Sequence, residues 1–298
     1  MSRKPDFFIV GGPKCGTTAL ARYLSEHWDI RFSSDKEPNY FCKDIAPVRS
    51  SRIDSDQAYL NRFFPGIEDA REKAIGEASV WNLYSTHAAK RILRFNPDAR
   101  FIVMIRNPAD MAFSLYSMLS FQGQEDQPTF RNAWELQDIR RRSGINPPGN
   151  WSDISVLLYK DVCSLGSQLE RLYDTVPPDR VLVLSQDDMR ENTKRVYQRA
   201  LGFLGVSDDL RATFPRTNEG RKLKNSFIVK IARTRTAIAA AKSLKQTLGI
   251  KTLSFGRPDL VMSSETRAFL SREFAHEISK LENLLGWNLS AWKPTAPS

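Results

Sequence analysis

The chain has 298 residues, 41% hydrophobic and 26% charged, with a formal net charge of +10. That is enough material for a large α/β core, and the composition is globular rather than disordered. The three cysteines (Cys15, Cys42, Cys163) and three histidines (His27, His87, His276) are scattered without metal-ligand spacing, which indicates reduced thiols and no metal.

The first apolar run, Phe7-Phe8-Ile9-Val10, stops at Gly11-Gly12. It is too short for a signal sequence or a membrane span, and no later run approaches bilayer length. The expectation is a soluble, cytoplasmic protein with no signal peptide or transmembrane segment.

Phe7 to Val10 reads as a strand, the glycine-rich stretch 11–16 as a turn, and Thr17, Leu20, Tyr23 and Leu24 as the start of a helix. Further β-like runs stand at 74–77, Arg100–Ile105 and Val181–Ser185, with helical patterns at 87–94 and 109–119. Strands alternating with helices predict an α/β fold, a mostly parallel sheet flanked by helices on both faces. Residues 125–150 turn polar and read as an inserted helix and loop on the acceptor side. Leu270, Phe274, Ile278, Leu281 and Leu285 recur at helical spacing up to Gly286, which predicts one amphipathic helix. There is no internal repeat, so residues 1–298 are expected to form a single domain.

Charge is concentrated. Between Arg216 and Lys251 there are ten basic residues and one acid, Glu219, a balance of +9. The segment suits an anionic partner (a nucleotide, an acidic saccharide or a membrane surface) or is simply a solvated helix face. Aromatic RNA-binding signatures are missing, and no nucleic acid partner is expected.

The stretch Gly11-Gly12-Pro13-Lys14-Cys15-Gly16-Thr17-Thr18 carries the chemistry. Glycines let successive N–H groups converge, the following helix start adds its dipole, and the two threonines add hydroxyls; the result is a phosphate loop. It is not a nucleotide-hydrolase loop, because Thr17 stands where a lysine would follow the second glycine. The apolar strand at Arg100–Ile105 ends in Arg106, not in a magnesium-holding aspartate. An arginine there points to direct grip on an anion.

Pro-Lys-x-Gly-Thr-Thr after a strand, with a second strand ending in Arg106-Asn107-Pro108 and Ser114 eight residues beyond the arginine, resembles the PAPS-dependent sulfotransferases. PAPS is 3′-phosphoadenosine 5′-phosphosulfate. The resemblance implies that Pro13, Lys14, Cys15, Gly16, Thr17 and Thr18 hold the 5′-phosphosulfate end of this co-substrate. It implies that Arg106 and Ser114 hold the 3′-phosphate, that a P-loop-like architecture carries them, and that no metal takes part. Lys36-Glu37-Pro38-Asn39-Tyr40-Phe41 is similar to the segment that supplies the base in the carbohydrate and heparan branch. Asn218-Glu219-Gly220-Arg221-Lys222 is similar to the loop closing over the nucleotide, which brings in Gly220, Arg221 and Lys222. Gly76-Glu77-Ala78-Ser79 and the closing stretch from Leu284 to Trp292 also match. Several heparan-type relatives have a lysine after that glutamate where Ala78 stands, and a membrane anchor.

The implied reaction moves a sulfuryl group to a hydroxyl or amine of a carbohydrate, lipid or small molecule. Lys14 would stabilise the leaving 5′-phosphate and Glu37 would take the acceptor's proton. His87 is the other candidate base, although its setting reads as a helix start. Trp81 is a stacking or buried aromatic. Cys15, at a helix start, is expected to have a lowered pKa. Two other readings remain open: a magnesium-dependent kinase or NTPase, and a non-catalytic polyanion-binding module.

Overall fold

A computed structural model describes residues 3–45, 53–143, 154–215 and 261–294. Among them, five strands form one sheet in the order β2-β3-β1-β4-β5, and every pairing is parallel. They are β1 (Phe7–Gly11), β2 (Ile30–Phe32), β3 (Ala74–Ala78), β4 (Arg100–Ile105) and β5 (Val181–Ser185). All residues of β1 and β3 are buried, as are the last five of β4. A strand covered on both faces needs continuous apolar residues instead of alternation. Phe7 meets Phe32 edge-on at 5.3 Å, while its neighbour Phe8 meets Phe41 at 5.5 Å. Consecutive strand residues point to opposite faces, so both faces of β1 are packed. Each such fully buried phenylalanine contributes about 1.5–3 kcal/mol relative to exposure.

Crossover helices follow the strands: α1 (Thr17–Ser25), α2 (Asp56–Phe63), α3 (Ala88–Phe95) and α4 (Pro108–Phe121). Then come α5 (Phe130–Glu135), α6 (Gln137–Ser143), α7 (Tyr159–Val162) and α8 (Leu165–Tyr173). After β5 stand α9 (Gln186–Glu191) and α10 (Thr193–Leu204), and the chain closes with α11 (Ser264–Glu273) and α12 (Ala275–Leu285). The α/β expectation is met: the parallel sheet is flanked by helices. α1 lies against α10, α4 against α7 and α11, and α8 against α12.

Two features differ from the sequence pattern. The predicted single C-terminal helix is two, separated at Phe274. Leu270, Phe274, Ile278 and Leu281 are all fully buried, but α11 rests on α4 and α12 on α8. One straight helix could not follow both partners. Strand β2 and helix α2 had no counterpart in the reading, since three residues with a central Arg31 make no visible strand pattern. No helix among the described residues is long and apolar enough to cross a membrane.

Candidate active site

Strand β1 delivers the chain to the glycine-rich loop. Gly12 N–H donates to the Met104 carbonyl of β4 at 2.8 Å, tying the loop's first residue to the neighbouring strand. Lys14 and Gly16 then take left-handed backbone, with φ of 66° and 95°. A left-handed lysine is locally strained, which is characteristic of functional turns. Gly16 is the N-cap of α1, and no side chain caps that helix. Its leading N–H groups are therefore presented to the loop, the arrangement that favours an anion. Thr17 is buried and Thr18 exposed.

Arg106 leaves the end of β4 and donates from Nη1 to the Lys14 carbonyl at 3.2 Å. Its Nε is buried and has no hydrogen-bond partner among the described residues. Burial lowers its pKa; Asp110 and Asp187 oppose the shift, while the nearby Arg190 adds to it. Asn107 caps α4 by accepting from Ala109 N–H at 2.9 Å, and Pro108 takes the first helical position. Along α4, Met111 Sδ lies 3.7 Å from Cys15 Sγ and Met118 Sδ 3.6 Å from Lys14 Nζ. Ser114 falls between them at helical spacing, on the face turned to the loop.

Cys15 departs from expectation. Its thiol is fully buried and is pushed up to about 12, chiefly by desolvation, against weaker lowering by Arg106, the Gly12 backbone and Lys14. The open helix end does not compensate for removal from water, so this thiol is a packing group, not a nucleophile.

Glu37 sits at the same edge of the sheet. Its N–H donates to the Ala78 carbonyl at 3.0 Å, and its Oε2 accepts from Val80 N–H at 2.9 Å. Lys36 Nζ bonds to Oε1. The carboxylate is 28% exposed, so it is both tied to the end of β3 and reachable. His87 occupies the N-cap position of α3, with its ring 68% exposed and Nδ1 3.4 Å from Asp44 Oδ2. Trp81 is buried, 6.3 Å from the Tyr84 ring. Gly220, Arg221 and Lys222, and the whole basic stretch 216–251, lie outside the described residues.

Sequence reasoning missed one group and gave no role to a second. Gln186, the first residue of α9 just past β5, has its Nε2 3.6 Å from where a Cβ on Gly16 would stand, and its Oε1 is buried without a partner among the described residues. The available signal was its position beyond the carboxyl end of a parallel strand, where open α/β sheets bind ligands. The second is Glu77 on β3, fully buried and bonded to Tyr59 of α2. Among the described residues no group of three or more His, Cys, Asp or Glu side chains is placed to hold a metal.

Residues 4–230 match the family described as Sulfotransferase domain. The chain belongs to the sulfotransferase family. Sulfotransferases take their sulfuryl group from PAPS. The chain is similar to a solved sulfotransferase from Alicyclobacillus acidocaldarius, at 27% identity and a TM-score of 0.70, over 97% of this chain and 99% of that one. It is 26% identical over 303 residues to the mouse bifunctional heparan sulfate N-deacetylase/N-sulfotransferase 3, covering 97% of this chain and 31% of that protein. Human carbohydrate sulfotransferase 15 is 30% identical over 149 residues, 38% of this chain and 27% of that protein. This sulfotransferase chain thus spans about a third of the length of the heparan-type relative, and a still smaller share of the carbohydrate one.

Proposed function

We propose that this chain transfers a sulfuryl group from PAPS to an amine or hydroxyl of a saccharide, holding one nucleotide between the loop after β1 and the end of β4. The observation that carries this reading is the contact of Arg106 with the Lys14 carbonyl, which supports one site shared by the two elements. Pro13, Lys14, Cys15, Gly16, Thr17 and Thr18 cradle the 5′-phosphosulfate: Lys14, Gly16, Thr17 and Thr18 offer main-chain N–H groups at the open end of α1, while Pro13, which has no N–H, and Cys15, whose N–H is given to the Gly12 carbonyl, shape the turn. Arg106 offers its planar fork to the 3′-phosphate, with Ser114 beside it. The fit is supported by two orphaned buried atoms, Arg106 Nε and Gln186 Oε1. Leaving such groups unpaired costs about 1–3 kcal/mol each, and a polar ligand removes that cost.

In the transfer, the acceptor's lone pair forms the new bond to sulfur. The bond from sulfur to the 5′-phosphate oxygen breaks and its electron pair leaves with the phosphate. Lys14 and the loop N–H groups stabilise the charge growing there. Glu37 receives the acceptor's proton. A saccharide acceptor is supported by the likeness to heparan and carbohydrate sulfotransferases, and the basic stretch 216–251 suits an acidic saccharide. The buried free thiols support a reducing compartment such as the cytoplasm.

The test is transfer of labelled sulfate from PAPS to two heparan-type oligosaccharides, one with free glucosamine amines and one with amines blocked and hydroxyls free. Label on the first alone gives N-sulfation, and label on the amine-blocked one gives O-sulfation. No label on either, with adenosine 3′,5′-bisphosphate still bound, removes the saccharide and leaves the donor.

A further inference from the structure

Glu77 is a fully buried carboxyl that the transfer does not use. Its Oε2 accepts from Tyr59 Oη at 3.0 Å and its Oε1 from Asn82 Nδ2 at 3.3 Å. It is also hydrogen-bonded to the Ser79 side chain. Ser79 Oγ in turn accepts from Asn39 N–H at 3.0 Å, and Asn39 Nδ2 donates to the Glu37 carbonyl at 3.0 Å. A chain of hydrogen bonds therefore runs from a carboxyl inside the sheet to the backbone of Glu37. That backbone needs holding: Glu37 and Asn39 both have left-handed φ, 62° and 52°. Each such non-glycine residue costs about 1–2 kcal/mol and persists only when its surroundings fix it.

We infer that Glu77 is a positioning residue: through Ser79 and Asn39 it fixes the turn from which Glu37 projects, and its charge state sets how firmly that turn is held. This rests on the reading of Glu37 as the base.

An apolar residue would fill this strand position at less cost, since no ion pair involves Glu77 among the described residues. Around it stand Tyr59 of α2, Glu37 and Cys42 of the segment after β2, and Ser79 and Asn82 beyond β3. Phe8 lies beside it on β1. Tyr40 stacks on Tyr59 at 4.6 Å and gives its hydroxyl to Asp56. Desolvation first, with the Glu37 charge adding to it, raises Glu77 to about 7, against the lowering bonds from Tyr59, Ser79 and Asn82. Near neutral pH the carboxyl thus gains or loses its proton. Ionised, it is the stronger acceptor from Ser79 and polarises the hydroxyl that holds Asn39.

The test is the pH dependence of the Asn39 amide resonance in the full chain bound to adenosine 3′,5′-bisphosphate. The expected result is a titration with a midpoint near 7, abolished by Glu77→Gln and by Ser79→Ala, which leaves the carboxyl in place. Glu77→Asp should keep a shifted titration. Alongside, Ser79→Ala should lower kcat for PAPS-dependent transfer to the free-amine oligosaccharide about tenfold, with the KM for PAPS unchanged. A flat Asn39 resonance in the unaltered chain, or a titration that survives in Ser79→Ala, overturns the inference. Failure of the underlying reading looks different: Glu37→Gln would keep full transfer while the Asn39 titration remained.

Discussion

Arg106 Nη1 donates to the main-chain oxygen of Lys14 at 3.2 Å, joining the end of β4 to the loop after β1. The residue that would carry the catalytic ammonium and the residue that would carry the 3′-phosphate fork are thereby placed by one hydrogen bond. Each is also seated by its own strand, β1 or β4, and those strands are paired in the sheet.

Lys14→Ala should separate binding from chemistry. The role proposed for it at the leaving oxygen would grow as charge develops, so kcat should fall about 10²–10³-fold, while affinity for adenosine 3′,5′-bisphosphate changes by less than about tenfold. Single-turnover transfer from PAPS checks the first figure and calorimetry the second.

Glu77 makes stability depend on pH in a stated direction. Its folded value of about 7 lies above its ordinary 4.5, so the folded chain holds this proton more tightly than the unfolded one. The associated stability is complete below about pH 4.5 and is lost as pH rises through about 7, a change on the order of 3 kcal/mol. Urea unfolding at pH 5 and pH 8 should show a larger loss for the unaltered chain than for Glu77→Gln.

Arg140 forks onto buried Glu125 with two contacts of 2.7 Å, and Tyr159 Oη adds a third bond at 2.8 Å. Removing only the cation strands a buried carboxylate. Arg140→Ala should cost about 3–5 kcal/mol in urea unfolding, and replacing both partners by apolar residues of similar volume should restore most of it.

Two glycines should respond in opposite directions. A Cβ at Gly76 would come within 2.5 Å of the Phe7 carbonyl oxygen and 2.6 Å of its ring, whereas at Gly202 in α10 nothing lies within 4 Å. Gly76→Ala should force β3 from β1 and lower the melting temperature. Gly202→Ala should raise it, by up to about 1 kcal/mol of helix propensity.

What could be read from the sequence follows from what is contiguous. β1 and β4 announce themselves because central parallel strands need unbroken apolar runs, and β5, though at the sheet's edge, because four of its five residues are buried; the Pro13 to Thr18 loop and the Arg106…Ser114 pair lie in short stretches. β2 escaped because it is a three-residue edge strand whose Arg31 reaches outward to the Pro65 and Gly66 carbonyls. The break at Phe274 escaped because helical spacing continues through it while the packing partner changes. Glu77 appeared only as part of a strand motif, since its partners Tyr59 and Asn82 come from other elements. Gln186 meets Gly16 only in the fold. For Cys15 the helix start was visible and the burial that outweighs it was not.

The most direct test of a single site gripping both ends of the nucleotide is calorimetry, without added metal, using adenosine 3′,5′-bisphosphate beside ADP and AMP. The arrangement predicts that the 3′,5′-bisphosphate binds well above the other two, and that Arg106→Ala removes about 3 kcal/mol, roughly a hundredfold in Kd. Equal affinity for ADP, left unchanged by Arg106→Ala, would contradict it.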